Sequence, residues 1–318
     1  MYIGPTIYPS EMEVVEILRG VPEDKIPWPL ERSNFFGSEY TGSGTVGAIL
    51  DSGCGKHFDI DDGCLFRLNH IGKGRSDKDI RWLEHGTFVA GQVHSARDGR
   101  GVVGAAYNSK FYDIQALPPG RDYDPFRVLS NSIETAIEKN VDAINLSLGS
   151  EHDSPMVRRS IRKAYRKGII IVAAAGNRGS EGRILRNFPS DYEEVISVGS
   201  VNRKDLPSRF TQHSRSVFVS IGGENVYGIL PNNRFGKMSG TSMASPLIYG
   251  VALRWCEKNP EVKKKNRPAL FMEELKSVVT DIYEVGWDNR TGWGYLCDVP
   301  RIAMFQKENE GPNFLFIT

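Results

Sequence analysis

The stretch VDAINLSLGSEHDSPMVRRSIRKAYRKGIIIVAAAG, residues 141–176, decides the fold. Its ends, 141–148 and 169–176, are largely apolar and have the length of strands, whereas 154–168 has the spacing of an amphipathic helix. Ser154 is placed to cap this helix and Gly168 to close it. Because apolar strands separated by helices are typical of parallel sheets buried on both faces, the stretch predicts an α/β fold.

The same alternation continues on both sides of this stretch. Further strands are predicted at 45–50, 110–117 and 194–201, and further helices at 86–96 and 129–140. Residues 216–238 contain short strands and the turn PNNR, which predicts a β-ribbon before a last apolar helix. Since no linker rich in Pro or Ser divides the chain, we expect one α/β domain with a mostly parallel sheet and helices on both faces.

Composition excludes several classes of protein. With 318 residues, 40% hydrophobic and 25% charged, the chain is typical of a soluble globular protein. The net charge of +1 gives no reason to expect nucleic acid or an acidic membrane as a partner, and no apolar window is long enough to span a bilayer. The first residues lack the pattern of a signal peptide, so we expect a cytoplasmic protein with reduced cysteines. A disulfide between Cys54 and Cys64 is the alternative.

Polar residues follow two of the predicted strands, where ligands bind in parallel sheets. Asp51 comes directly after strand 45–50, and Asn177 follows strand 169–176. Taken singly, Asp51 reads as a turn cap and Asn177 as a loop brace. His85 stands before a helix of small residues, where its ring can lie close to neighbouring backbone, although lone histidines are usually structural.

Ser242 lies in GKMSGTSMASP, residues 236–246, at the start of an apolar helix. A serine at this place is most often an ordinary N-cap. As a nucleophile it would gain from the helix start, whose unsatisfied N–H groups and positive dipole potential stabilise a developing oxyanion. The local sequence leaves both readings open.

Five segments together resemble the motif set of the subtilisin-like serine proteases: AILDSG (48–53), HGTFVAG (85–91), INLSLGS (144–150), AAAGN (173–177) and SGTSMASP (239–246). The chain order Asp, His, Ser is that of subtilisin and not of the other two serine hydrolase arrangements. The similarity extends from about Gly44 to Gly294. It implies a three-layer subtilisin-like fold and a serine endopeptidase that acts on proteins or peptides.

The resemblance also assigns roles to individual residues. Ser242 attacks the peptide carbonyl, His85 moves the proton, and Asp51 orients the imidazole. Asn177 and the backbone N–H of Ser242 hold the oxyanion. The extended substrate pairs with the edge segment that consists of Ser147, Leu148 and Gly149. The alternative is a catalytically silent protein of the same fold that binds a partner protein.

Two further implications concern metal and assembly. Asp59 and Asp98 fall near positions that bind calcium in many relatives, and Asp98 lies in the Gly-flanked loop ARDGRG; simple surface turns are the alternative. Intracellular relatives are often dimers, which makes a homodimer a candidate assembly. The loop after Asn177 matches the family loosely, so the sequence leaves the substrate preference open.

The N-terminal residues resemble the short extension of the intracellular subtilisins, with GPTIYP at positions 4–9. The resemblance implies that this extension lies across the active site as an inhibitor. Pro5 and Pro9 lack an N–H, so an extended segment that contains them could occupy the cleft in a non-productive register. We therefore predict an inhibitory extension at 1–20 and a peptidase domain at 21–318. A terminal strand docked elsewhere on the body is the alternative.

Overall fold

Twelve strands and six α-helices lie in the described part of the chain, residues 8–9, 14–18, 23–33, 39–60, 65–69, 82–117 and 123–297 of a computed structural model. The strands are β1 (Tyr8–Pro9), β2 (Val14–Leu18), β3 (Val46–Asp51), β4 (Leu65–Asn69), β5 (Lys110–Gln115), β6 (Ala143–Leu146), β7 (Leu148–Gly149), β8 (Ile170–Ala174), β9 (Ile196–Val201), β10 (Val217–Gly222), β11 (Val226–Leu230) and β12 (Arg234–Met238). The helices are α1 (Trp28–Arg32), α2 (Leu83–His94), α3 (Pro125–Glu138), α4 (Pro155–Arg166), α5 (Thr241–Lys258) and α6 (Arg267–Val278).

Seven of the described strands form one parallel sheet in the order β10–β9–β8–β6–β3–β5–β4. Successive side chains of a strand point to opposite faces. On β3, Ala48 and Leu50 pack with α3 and α4 on one face, whereas Ile49 packs with α2 and α5 on the other. Because both faces are covered, the central strands β6, β8 and β9 are buried along their whole length. The predicted three-layer α/β fold is confirmed.

The predicted ends of helix α4 are confirmed. Ser154 caps it, since its hydroxyl oxygen accepts the Val157 N–H at 3.5 Å. Gly168 follows the last turn with φ of 82°, a left-handed conformation that suits glycine. Both ends are therefore set by local sequence signals.

Two segments divide differently from the prediction. The predicted strand 141–148 becomes β6 and β7, which are separated at Ser147, where the side chain leaves the sheet to bond with α5. The predicted ribbon 216–238 is wrong in its first part, because β10 joins the parallel sheet beside β9. Five of the six residues of β10 are buried, which is typical of a parallel strand and not of an exposed ribbon.

Two smaller antiparallel pairings lie beside the main sheet. β12 pairs with β11 on one side and with β2 on the other, and β1 pairs with β7. None of the described helices combines the length and the apolar character that a bilayer crossing requires. Cys54 is buried, but Cys64 lies outside the described residues, so reduced cysteines stay the prediction and their disulfide the alternative.

Candidate active site

Three adjacent strands end at the same edge of the sheet and bring predicted site residues together. Asp51 is the last residue of β3, and Ser147 directly follows β6, its neighbour. Asn177 comes three residues after the end of β8, which pairs with β6 on its other side. Parallel strands thus place residues that are far apart in sequence at one edge, as expected for a ligand site in this class of fold.

Asp51 and His85 form a direct hydrogen bond. The Nδ1–H of His85 donates to Oδ1 of Asp51 at 2.7 Å, and the Ser52 N–H donates to the same oxygen at 2.6 Å. Both side chains are buried, and Nε2 of His85 has no hydrogen-bond partner in the described part of the chain. Since Nδ1 carries the proton in this bond, Nε2 is left as an acceptor, the state that a general base requires.

A close approach of backbones brings His85 to Asp51. Gly86 follows the histidine in α2, and a Cβ at this position would lie 2.6 Å from the carbonyl oxygen of Gly53. Its N–H also donates to Oγ of Ser52 at 3.1 Å. The small residues of α2 therefore allow the helix to touch the loop that follows Asp51.

Ser242 is the second residue of α5 and is not its N-cap, a position that Gly240 occupies. The hydroxyl of Ser242 donates to the carbonyl oxygen of Ser147 at 3.1 Å, and its side chain is buried. The ordinary N-cap reading is therefore wrong. The serine instead faces the end of β6, at the edge of the sheet that carries Asp51.

A buried polar network that the sequence analysis missed holds the Ser242 turn against this edge. Oγ of Ser147 donates to the Ser242 carbonyl oxygen at 3.0 Å and is 2.9 Å from Oγ of Ser245. Asn145 completes the network, since its Nδ2 donates to Ser147 at 3.0 Å and its Oδ1 accepts from Ser245 at 3.1 Å. An asparagine inside the apolar strand β6 was the signal that could have revealed it.

Asn177 is fixed by the residue before the serine. Its Oδ1 accepts both the backbone N–H and the hydroxyl of Thr241, each at 2.9 Å. Gly176 has φ of 112°, a turn that favours glycine, and its N–H donates to Oγ1 of Thr241 at 3.1 Å. With its oxygen held in this way, Asn177 keeps its amide Nδ2–H groups for another acceptor.

Comparison with known proteins identifies the family. The sequence profile of the subtilase family (peptidase S8) matches residues 42–294. The chain is a subtilase. It is 30% identical over 255 residues to the major intracellular serine protease of Bacillus subtilis strain 168, covering 76% of this chain and 75% of that protein. It is 33% identical over 228 residues to a subtilisin of Bacillus pumilus (70% and 80%) and 36% identical over 177 residues to subtilisin DY of Bacillus licheniformis (55% and 64%). The predicted family and enzyme class, a serine endopeptidase, are confirmed.

In this subtilase the edge segment Leu148–Gly149 is already paired with an extended strand. β1 lies antiparallel to β7, with Tyr8 opposite Gly149 and Pro9 opposite Leu148. Beside this edge, the side chain of Asn187 fills the space that a Cβ on Gly149 would enter, 2.2 Å from its Oδ1. Asn187 belongs to the loop whose sequence left the substrate preference open.

The two aspartates predicted to bind calcium in the subtilase lie in two loops that contact each other, but they differ in environment. Asp59 is buried: its Oδ2 accepts the Val102 N–H at 2.7 Å, and its Oδ1 has no hydrogen-bond partner in the described residues. Burial, reinforced by the charges of Asp98 and Asp24, raises its pKa to about 7. Asp98 is largely exposed and pairs with Arg100 at 3.4 Å. Within the described ranges, no three or more His, Cys, Asp or Glu side chains converge on a point where a metal ion could bind.

Proposed function

We propose that this subtilase hydrolyses peptide bonds with Ser242 as nucleophile, His85 as general base and Asp51 as the group that orients it. The observation that supports this most is the hydrogen bond between His85 and Asp51, at the sheet edge that also carries the Ser242 turn. A subtilase fold with these three residues at one edge has the parts that acyl transfer needs.

In the proposed reaction, the hydroxyl of Ser242 turns from the Ser147 carbonyl to Nε2 of His85, which takes its proton as oxygen attacks the substrate carbonyl. Hydrogen bonds of this kind are often not yet formed before substrate binds. The Nδ2–H of Asn177 and the backbone N–H of Ser242 stabilise the oxyanion. His85 then gives the proton to the leaving amine, and water hydrolyses the acyl-enzyme by the same steps.

The substrate backbone would pair with β7. Leu148 and Gly149 are an edge that accepts an extended chain in antiparallel register, as β1 demonstrates. Main-chain hydrogen bonds of this kind give affinity without fixing the side chains of the substrate. Proteins and peptides with an extended segment are therefore the proposed substrates, in the cytoplasm, since one matched relative is an intracellular protease.

Labelling with a fluorophosphonate tests the nucleophile. We expect mass spectrometry to find one modified residue, Ser242, with loss of peptidase activity in parallel. Ser242→Ala is the matched control and should take up no label. Unlabelled wild-type protein, measured also after residues 1–20 are cut off, would contradict the proposal and favour the catalytically silent, partner-binding alternative.

Residues 1–20 are proposed as an inhibitor of the same site. β1 occupies the β7 edge, and β2 pairs with β12, whose last residue, Met238, stands four residues before Ser242. The two pairings therefore lie on either side of the nucleophile turn. Pro9 has no N–H to complete the ladder, which suits a segment that binds in a non-productive register. Residues 21–318 are the proposed peptidase domain.

Cutting the folded chain tests this regulation. A variant with a site-specific protease sequence at residues 19–22 folds as the full chain and is then cleaved. We expect kcat/KM for a short peptide to rise at least about tenfold after cleavage, because the β7 edge becomes open to substrate. The uncut variant is the control. Equal activity before and after release of the extension would rule out inhibition.

Calcium is proposed as a structural ion at Asp59 and Asp98. The buried Oδ1 of Asp59 without a hydrogen-bond partner, and the nearby carboxylates of Asp98 and Asp24, fit a bound cation. Such an ion would neutralise the carboxylates of Asp59 and Asp98 and would take no part in the reaction. The homodimer stays a prediction.

A further inference from the structure

The outer edge of β12 is a second place where an extended chain binds. On this edge β2 runs antiparallel, with Leu18 opposite Phe235, Ile17 opposite Gly236 and Glu16 opposite Lys237. After a shift in register, Val14 lies opposite Met238. When residues 1–20 leave, β12 keeps β11 on its inner side and becomes an edge strand with unpaired N–H and C=O groups on the outer one.

This edge lies on the far side of the nucleophile from β7. β12 leads through Ser239 and Gly240 into the Ser242 turn, and the Ser242 hydroxyl contacts Ser147, which directly precedes β7. The two strands of the extension use the two edges in sequence order, and both run antiparallel to their partners. A polypeptide can therefore follow β7 before the scissile bond and β12 after it, in one direction.

We propose that, after the extension is removed, the β12 edge binds the leaving-group side of protein substrates as an added strand. This inference rests on the proposed endopeptidase function and deepens it, because it names the kind of substrate. Efficient substrates are polypeptides that remain extended for at least about six residues beyond the scissile bond. Short peptides that end sooner use the β7 edge alone.

The register of the extension gives the position that each substrate residue would take. The substrate residue opposite Ser147 lies next to the Ser242 hydroxyl and supplies the attacked carbonyl, so the residue opposite Leu148 is second before the scissile bond. In the extension, Glu16 stands seven positions after Pro9, the residue opposite Leu148. A substrate on the same path places its sixth residue after the scissile bond opposite Lys237.

Lys237 gives this edge a charge preference. Phe235 and Met238 are buried, and Arg234 is engaged with Glu84 at 2.7 Å, whereas Lys237 is only partly buried. Residues directly opposite in an antiparallel pair have side chains on the same face, where opposite charges attract. The extension itself carries Glu16 opposite Lys237. We therefore expect an acidic residue at the sixth position to be favoured.

Length dependence is the first test, on the variant cut at residues 19–22 and separated from its extension by gel filtration. Two quenched fluorescent peptides share all residues up to the third after the scissile bond, and one continues to the ninth. We expect kcat/KM for the longer peptide to be at least about fivefold higher, mainly through KM. A peptide of residues 14–20 should inhibit cleavage of the longer substrate and leave the shorter one unaffected.

A charge swap is the second test. With Glu or Lys at the sixth position of the longer peptide, the protein should prefer Glu by about two- to fivefold in kcat/KM, the range of one cross-strand ion pair. Lys237→Glu should reverse this preference, whereas the matched control Lys204→Glu, at an exposed position of another loop, should keep it. Equal kcat/KM for both peptide lengths would contradict substrate binding at the β12 edge, and so would a charge preference that Lys237→Glu leaves unchanged. Neither result would contradict the proposed peptidase activity. Cleavage of no peptide at all would overturn the proposed function and this inference with it.

Discussion

Thr241 fixes the carboxamide of Asn177 through two hydrogen bonds, from its backbone N–H and from its hydroxyl. Because both go to Oδ1, the amide cannot rotate by half a turn without losing them, and the Nδ2–H groups are aimed away from Thr241. The neighbour of the proposed nucleophile thus orients the proposed oxyanion donor before substrate arrives. Such preorganisation is what makes a hydrogen bond effective in a transition state.

Asn177→Ala should lower kcat far more than it changes KM, since the bond to the oxyanion forms only as the carbonyl is attacked. The expected loss is about 10²–10³ in kcat, a magnitude taken over from the corresponding asparagine of subtilisin. Steady-state kinetics with a short peptide measures it.

Thr241→Val is the comparison for this substitution, because it removes one of the two bonds to Oδ1, together with the bond from the Gly176 N–H, and keeps the amide. Its loss of kcat should be clearly smaller than that of Asn177→Ala. A change in KM alone for Asn177→Ala would contradict the assigned role.

Residues with their own motif were predictable from sequence, and residues that act through distant partners were not. The segments around Asp51 and Ser242 resemble family motifs in the sequence alone. Asn145 and Ser245 bond to each other across 100 residues of chain. No periodicity within either segment reports that contact, because it depends on how α5 is placed over the sheet.

Elements α2, α5 and β5 meet at a buried histidine. The ring of His94, the last residue of α2, stacks on Phe111 of β5 with centroids 4.0 Å apart. Its Nδ1 is 2.9 Å from Oγ of Ser109, and Tyr249 of α5 packs edge-on against it. Burial lowers the pKa of His94 from 6.5 to about 3, so the folded protein holds this imidazole neutral.

The pKa of His94 predicts how stability depends on pH. The unfolded chain takes up a proton at His94 near pH 6.5, whereas the folded chain does so only near pH 3. The contribution of the neutral His94 side chain to the free energy of unfolding is therefore complete above pH 6.5 and is lost as the pH falls toward 3. We make His94→Gln in a Ser242→Ala parent, which prevents self-digestion. Between pH 6.5 and 5, the free energy of unfolding of the His94→Gln variant should fall by roughly 2 kcal/mol less than that of its parent. Urea unfolding at each pH measures it.

Tyr249→Phe provides the control for this pH dependence. It removes a hydroxyl beside His94 but no group that titrates in this range, so it should lower stability equally at each pH. His57, whose burial lowers its pKa to about 4, stays in both proteins and leaves a residual slope. If the free energy of unfolding depended on pH in the same way for His94→Gln and its parent, the prediction would be contradicted.

Element types followed from the sequence more faithfully than element boundaries. The strand–helix–strand unit at 141–176 was predictable from its apolar runs and from the caps of α4. The break between β6 and β7 was not, because it depends on the hydroxyl of Ser147 and a carbonyl of α5. The position of β10 in the parallel sheet was not predictable either, because a short apolar strand has the same sequence pattern in a hairpin and in a parallel sheet.

The stability of the whole molecule should respond to calcium if the loop at Asp59 binds it. At a calcium concentration about 100 times Kd, binding to the folded state alone contributes about 2.7 kcal/mol. For a chain of 318 residues that corresponds to a rise in Tm of roughly 4 °C. Thermal unfolding of Ser242→Ala in calcium and in a chelator measures it.

Asp59→Asn should remove this response, because it takes away the charge of the buried carboxylate. Magnesium at the same concentration is the control ion and should stabilise less, since it demands a stricter octahedral geometry. Equal Tm values in calcium and in chelator would show that these aspartates serve the loop without a metal.

The pairing of β2 with β12 joins residues about 220 positions apart, which sets the order in which they are translated. The segment proposed to cover the cleft is translated long before β12, and β12 emerges just before Ser242. β12, the strand that pairs with the extension, and Ser242, the proposed nucleophile, therefore leave the ribosomal exit tunnel almost together. A nascent chain stalled before this point would lack the proposed nucleophile, and a chain that has passed it would already carry both β2 and β12, the two strands of the proposed inhibitory pairing.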